Sequence, residues 1–166
     1  MSDILNVPLG VCDVYVGGRH VGHTIGGVEV HYAPEFHETK VDAYAGVAER
    51  WLVGEDLYAT VPMAEATITN IKEAITHANS AAGYVSIGSK AGKRSSTAAE
   101  TVRLHPIANA ADDLSDDVTI YKAHVTNEIT LPYKNDGETI IEAEFHGLVD
   151  ESRVDGNLLG LIGSSV

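Results

Sequence analysis

Along the first third of the chain, apolar and polar positions alternate in short runs that end at paired glycines. Residues 11–16 (Val-Cys-Asp-Val-Tyr-Val) followed by Gly17-Gly18 read as the first arm of a tight hairpin, because adjacent glycines supply the positive φ that such turns require. Residues 19–24 read as its return arm. Gly26-Gly27 then turns the chain into Val28-Glu29-Val30-His31-Tyr32, where Val28, Val30 and Tyr32 point one way and Glu29 and His31 the other. That alternation predicts a half-buried strand. Pro34 interrupts it, and residues 35–41 resume it weakly, as an exposed ribbon does. From 42 to 55 the period dissolves around the only tryptophan. Residues 33–56 therefore read as a long loop whose Tyr44, Val47, Trp51 and Leu52 either fold back over the core or are kept for a partner.

The pattern is clearer further on. Residues 57–66 predict a strand. Ile68, Ile71 and Ile75 then fall at helical spacing behind Thr67 or Thr69 as N-cap, which predicts one amphipathic helix with an isoleucine face against a sheet. Ala81-Ala82-Gly83 ends it, 84–88 reads as a short strand, and 89–96 is a Gly/Ser-rich loop carrying Lys90, Lys93 and Arg94. Residues 100–107 alternate as a strand. Residues 108–117 form an acidic connection with room for one helical turn, and 118–126 and 139–148 are the strongest late strands, the latter preceded by Asn135-Asp136-Gly137. In 139–148, Ile141, Ala143 and Phe145 share a core-facing side, which leaves Glu142, Glu144 and His146 opposite, as Glu29 and His31 are in the early strand. Eight to ten strands, one helix and no βαβ alternation predict a mainly β fold, an antiparallel sandwich or small barrel with one flanking helix.

Length and charge narrow the class. The 166 residues, 44% hydrophobic, suffice for one buried core and predict one domain. No apolar run approaches the roughly 20 residues of a membrane helix, and Met1-Ser2-Asp3 lacks a basic flank before an apolar core, so cytoplasmic synthesis without membrane insertion is expected. The formal charge of −13 repels nucleic acid; it serves solubility, or it suits a wall past which DNA must slide without sticking. Cys12 stands alone among apolar neighbours and reads as a small buried hydrophobe.

Enzymatic signatures fail on context. The glycines of Gly17-Gly18-Arg19-His20-Val21-Gly22 are followed by a strand rather than a helix, so they are no dinucleotide loop, and Gly88 to Ser95 lacks the glycine spacing of a phosphate loop. Among the eight histidines, His20 and His23 are three apart and face opposite sides of a strand; His31, His37 and Glu35 would have to converge on them as in a small metal-dependent β-barrel enzyme, which is the alternative reading. Solvated histidines on polar faces explain the pattern more simply. Ser96, His105 and Asp112 or Asp113 lack the context of a hydrolase triad. No cofactor is expected.

Three passages carry a resemblance: Asp13-Val14-Tyr15-Val16-Gly17-Gly18, the steps Val21-Gly22-His23-Thr24 and Gly26-Gly27-Val28-Glu29-Val30, and the strand-to-helix run Val61-Pro62-Met63-Ala64-Glu65-Ala66-Thr67-Ile68. In the order of hairpin, long excursion and Ala-Glu approach to a helix, the chain resembles the tail tube (major tail) proteins of long-tailed bacteriophages, over residues 11–78 and beyond them only by strand count. The basic loop has no counterpart in that pattern. The resemblance implies a structural subunit rather than an enzyme, assembling in the host cytoplasm with copies of itself into stacked, hexameric rings of a virion tail. Tape measure and terminator proteins would be partners and DNA a non-adhering cargo. The related tube of type VI secretion shares this architecture. Because they are apolar in a segment without core periodicity, Tyr44, Val47, Trp51 and Leu52 are expected to contact a neighbouring subunit, and the terminal arms at 1–9 and 150–166, apolar without strand or helix period, to become fixed on assembly. The face of Glu29, Glu142 and Glu144 is then either an ordinary wet face or the lining of the channel.

Overall fold

The computed structural model describes residues 10–164. Their order is β1 (Cys12–Val16), β2 (Arg19–His20), β3 (Glu29–Lys40), β4 (Val47–Met63), α1 (Ile68–Ala74), β5 (Asn79–Ala81), β6 (Tyr84–Ser86), β7 (Glu100–Pro106), β8 (Val118–Val125), β9 (Ile141–Gly147) and β10 (Gly160–Ile162), with one 3-10 turn at Ser95–Thr97. The fold is mainly β and antiparallel with one helix, in the manner of a β-sandwich with one flanking helix. The main sheet runs β2-β1-β7-β8-β9-β4-β3, with β10 added beside β8, while β5 and β6 form a separate ribbon.

The sheet nearly closes on itself. Residues just beyond β2 meet β4: Thr24 bridges Met63, Ala64 N donates to His23 O at 2.9 Å and Ile25 N to Pro62 O at 3.2 Å. Enclosed by this curl are Val14 and Val16 of β1, Ala59, Val61 and Met63 of β4, Val102 and Leu104 of β7, Ile120 and Ala123 of β8, and Ile141, Ala143 and Phe145 of β9. Burying such side chains contributes on the order of 1.5–3 kcal/mol for each large one and is the main force holding the sheet curled. A bulge in β8 lets Ile120 and Ala123 both reach this core, since Val102 faces Ile120 whereas Glu100 faces Ala123.

The glycine pair that predicted a turn makes one: Gly17 and Gly18 lie at φ 56° and 81°, and Val21 N donates to Val14 O across the hairpin at 3.0 Å. Its return arm is only two residues of strand. The chain then bends at Gly22, φ 87°, where an added Cβ would run into the Glu65 carboxylate, whose Oε1 accepts His23 N at 3.0 Å. Glu65 thus joins the hairpin to the approach of α1. Asn70 completes the joint while 1% exposed: its Nδ2 donates to Val21 O and Glu65 O, both at 2.7 Å, and its Oδ1 accepts from Arg19 Nη2 at 2.8 Å.

Several expectations need correction. The helix spans seven residues and buries Asn70 and Ala74; of the isoleucines, Ile71 packs against the core and Ile75 is half-buried, whereas Ile68 is exposed, so only part of the isoleucine face covers the sheet. Thr67 is the cap, accepting from Asn70 N at 3.2 Å. Residues 33–56 are not a loop: β3 and β4 pair from Glu29↔Thr60 to Lys40↔Val47, and only residues 41–46 connect them. Val30 and Tyr32 of β3 are exposed rather than half-buried, since β3 is the last strand of the sheet. Residues 108–117 form turns without a helix. His105, expected on a polar face, is buried with Asp117, Nδ1 to Oδ1 2.6 Å, and Arg103 Nε stands 3.7 Å from the same carboxylate.

The C-terminal arm is also revised. Leu148 N donates to Lys122 O, Tyr121 OH to Asn157 Oδ1 and Gly163 N to Asp117 O, and β10 pairs with β8, so residues 148–163 are built into the sheet. Lys122 Nζ reaches Asp150 Oδ1 at 2.8 Å and the Arg153 guanidinium lies over the Tyr121 ring at 3.9 Å. Close approach explains Gly160, where a side chain would collide with the Thr119 carbonyl and Leu57. The arm at 1–9, with residues 165–166, lies outside the described residues.

Candidate functional site

Two surfaces stand out from the barrel, both built by β3 and β4. The first is the outer hairpin. β9 pairs with β4 only from Tyr58 to Met63, so residues 47–57 have β3 as their sole strand partner among the described residues. Cross-strand pairs place Phe36 opposite Leu52, His37 opposite Trp51 and Glu38 opposite Arg50, with Arg50 Nε 3.1 Å from Glu38 Oε1. Skipped residues at 53 and 48 bend β4, as bulges do. Both faces of this ribbon meet solvent. Trp51 is 62% exposed, Tyr44 at the tip 71% and Leu52 51%, whereas Val47 is partly covered beside Lys40. Phe36 and Val53 add to the apolar exposure. Between the ribbon and the C-terminal segment lies an open cleft of about 580 Å³, lined by Tyr32, Leu52, Leu57, Leu159, Leu161 and Ile162 among others. Tyr32 OH donates to Glu55 Oε1 at 2.7 Å on its wall, and that bond holds the phenol above its ordinary pKa.

The second surface is the outer face of β3, β4 and β9, opposite the core. Register brings the expected carboxylates together: Thr60 faces Glu29 on one side and Glu144 on the other, and Glu142 stands opposite Pro62. One row along, Tyr58 faces both His31 and His146, and the three rings stack, with centroids 4.6 and 4.5 Å apart and planes within 15° and 13° of parallel. His31 Nε2 lies 3.2 Å from Glu29 Oε2, and His146 sits between Asp56 Oδ2 at 2.9 Å from Nδ1 and Glu144 Oε2 at 3.7 Å from Nε2. His124 Nδ1 contacts His146 O at 3.1 Å. Stacked cross-strand pairs of this kind stabilise a sheet by roughly 0.2–1 kcal/mol each and hold the carboxylates in a fixed row. Glu29, Asp56, Glu142 and Glu144 make the face acidic when the imidazoles are neutral.

Tyr58 and Asp56 were missed from the sequence. Their parity matches that of His31 and His146, but which strands are neighbours is not written in any one strand, and Tyr58 reads alone as an ordinary strand residue. Tyr44, Val47, Trp51 and Leu52 share the outer ribbon and stand apart from the acidic row, so the structure forms two surfaces rather than one site.

The histidines proposed as joint ligands stay apart. His20 and His23 do not join His31 and His37: His20 Nε2 pairs with Asp13 at 3.0 Å while His37 faces Trp51. No group of three or more His, Cys, Asp or Glu side chains among the described residues is arranged to hold a metal ion, and no helix among them is long and apolar enough to cross a membrane. Cys12 packs partly buried beside the core, where burial, then Asp13, pushes its thiol above the usual range and away from the reactive thiolate. No protein-family model matches the chain, and no curated protein matches it.

Proposed function

We propose that this chain is a structural subunit of a bacteriophage tail tube, associating with copies of itself into stacked, hexameric rings through which a genome passes. The observation that carries the reading is the β3–β4 ribbon, which projects beyond the barrel with Phe36, Tyr44, Trp51, Leu52 and Val53 exposed. A lone ribbon of that length has no core of its own, and aromatic side chains in such a position are what protein interfaces bury. The resemblance implies a β-sandwich or barrel flanked by one helix, and the curled antiparallel sheet with α1 beside it supports the reading. The acidic row of Glu29, Glu142 and Glu144 has a use in this reading: turned to the lumen, it repels phosphates and lets DNA pass.

Negative-stain electron microscopy of the purified chain over a range of concentrations tests the reading. Rings or hollow tubes of uniform width are expected, and their loss in Trp51→Ala with the fold intact. A protein that stays monomeric at every concentration, or one whose Trp51→Ala variant forms tubes as before, overturns it.

A further inference from the structure

The loop bearing Lys90, Lys93 and Arg94 has no part in either surface described so far. The chain has eleven lysines and arginines, and six of them, Lys40, Arg50, Lys72, Arg103, Lys122 and Arg153, hold a carboxylate within the fold. Lys90, Lys93 and Arg94 are all exposed and hold none among the described residues; Lys93 Nζ meets only Ser89 Oγ, at 3.1 Å. In a chain of net charge −13, three unpaired cations within five residues are an asymmetry.

The strand order says where this loop lies. It leads directly into β7 at Glu100, and β7 ends at Pro106, from which the chain enters the connection carrying Asp112, Asp113 and Asp116. Cationic and acidic loops are therefore at opposite ends of one seven-residue strand, about 20 Å apart along it. Since β8, β9, β4 and β3 follow antiparallel from β7, β4 begins at the end where β7 finishes. The tip at residues 41–46 thus shares the acidic end, and α1 the basic one. Exposed apolar side chains accompany both: Tyr84 and Ile87 lie beside the basic loop in the chain, with Ile87 76% exposed, while Val41, Tyr44 and Leu114 are exposed at the acidic end. Asp112, Asp113 and Asp116 are exposed and hold no cation among the described residues; Asp113 and Asp116 accept only from Ser115 N and Asn109 Nδ2. Hydrogen bonding from Ser115 holds the Asp113 carboxyl below its ordinary range.

We infer that a second copy of this chain docks end to end on the first, the loop of Lys90, Lys93 and Arg94 with Tyr84 and Ile87 seating on Asp112, Asp113 and Asp116 with Leu114 and the hairpin tip. The inference rests on the reading of the chain as a tube subunit and names the contact that stacks one ring on the next. The two ends are different patches of one molecule, so the contact is heterologous and propagates without closing, as an elongating tube requires. Ionic pairing sets its register and polarity, because inverted stacking would oppose like charges.

Two charge-reversed chains, K90E/K93E/R94E and D112K/D113K/D116K, test it by sedimentation and electron microscopy, with melting curves to verify that each folds. Each alone is expected to stop near the single ring, with mean assembly length falling at least about tenfold. Mixed in equal amounts, they are expected to elongate again, in alternation, and wild-type tubes are expected to shorten as salt rises. If both folded variants elongate alone as the wild type does, or if the mixture fails to restore elongation, this docking is wrong while the tube reading stands on the wild-type tubes. If wild-type protein forms neither rings nor tubes, both fall.

Discussion

Strand β9 and the outer half of the β3–β4 hairpin are both extended and both rich in apolar residues, yet they do opposite things with them. In β9 the alternation is strict: Ile141, Ala143 and Phe145 are at most 2% exposed, and the polar residues between them face out. In the hairpin, Phe36 and Leu52 lie on one face and Trp51 on the other, with solvent against both. The first pattern is that of a chain that folds by itself. The second leaves apolar area unburied, which is stable in isolation only because the ribbon is anchored where β4 continues into the barrel from Tyr58 to Met63. The comparison teaches that β4 is two structures in one strand: a core member at its C-terminal end and a protruding arm at its N-terminal end.

Substitutions that separate these regions give the largest effects on the barrel side. Phe145→Ala should cost the isolated subunit about 3–5 kcal/mol by urea titration, whereas Trp51→Ala should change the same measurement by less than about 0.5 kcal/mol. A Trp51→Ala penalty comparable to that of Phe145→Ala would erase the distinction. Asp117→Ala should follow at about 3 kcal/mol, because it leaves His105 buried without its carboxylate and removes the partner of Arg103. Replacement of Thr67 by Ala, which removes the cap of the short helix, should cost about 1 kcal/mol in the same assay.

How much of this could be read from the sequence follows the same division. The strands with a buried face, β1, β7, β8 and β9, were legible from period-two alternation, and the Gly17-Gly18 turn from its chemistry. The hairpin was legible only in its first arm, as a strand at 28–32 and a weak exposed ribbon at 35–41; its second arm over 47–56 was not, since a ribbon wet on both faces has no period to read and its bulges at 53 and 48 shift the register twice. Glu29 and Glu144 could be assigned to outward faces, but their meeting across Thr60, and the His31-Tyr58-His146 stack, depend on β4 lying between β3 and β9, a long-range fact. β6 was legible within the short strand read at 84–88, but its partner β5 fell inside the expected end of the helix, and the seating of Asn70 under α1 had no local signal. β10, three residues of Gly-Leu-Ile, is a strand only because β8 offers it an edge.

A smaller effect concerns pH. Lys122, then Ser152, hold the Asp150 carboxyl down to about 2 from its ordinary 3.8. Because the folded value is the lower one, this group's contribution is full above about 3.8 and is lost as pH falls toward about 2. Lys122→Met should flatten that part of the acid-unfolding profile of the subunit, leaving the neutral plateau lower. An unchanged slope between those pH values would place the acid sensitivity elsewhere.

The central claim is that the projecting ribbon is an interface, and the chain carries one tryptophan, in that ribbon. Its fluorescence therefore reports on a single site. The account predicts that emission from Trp51 shifts to the blue and becomes protected from iodide quenching as concentration drives assembly, with the monomer fully quenchable. Assemblies in which Trp51 stays as red and as quenchable as in the monomer would contradict it.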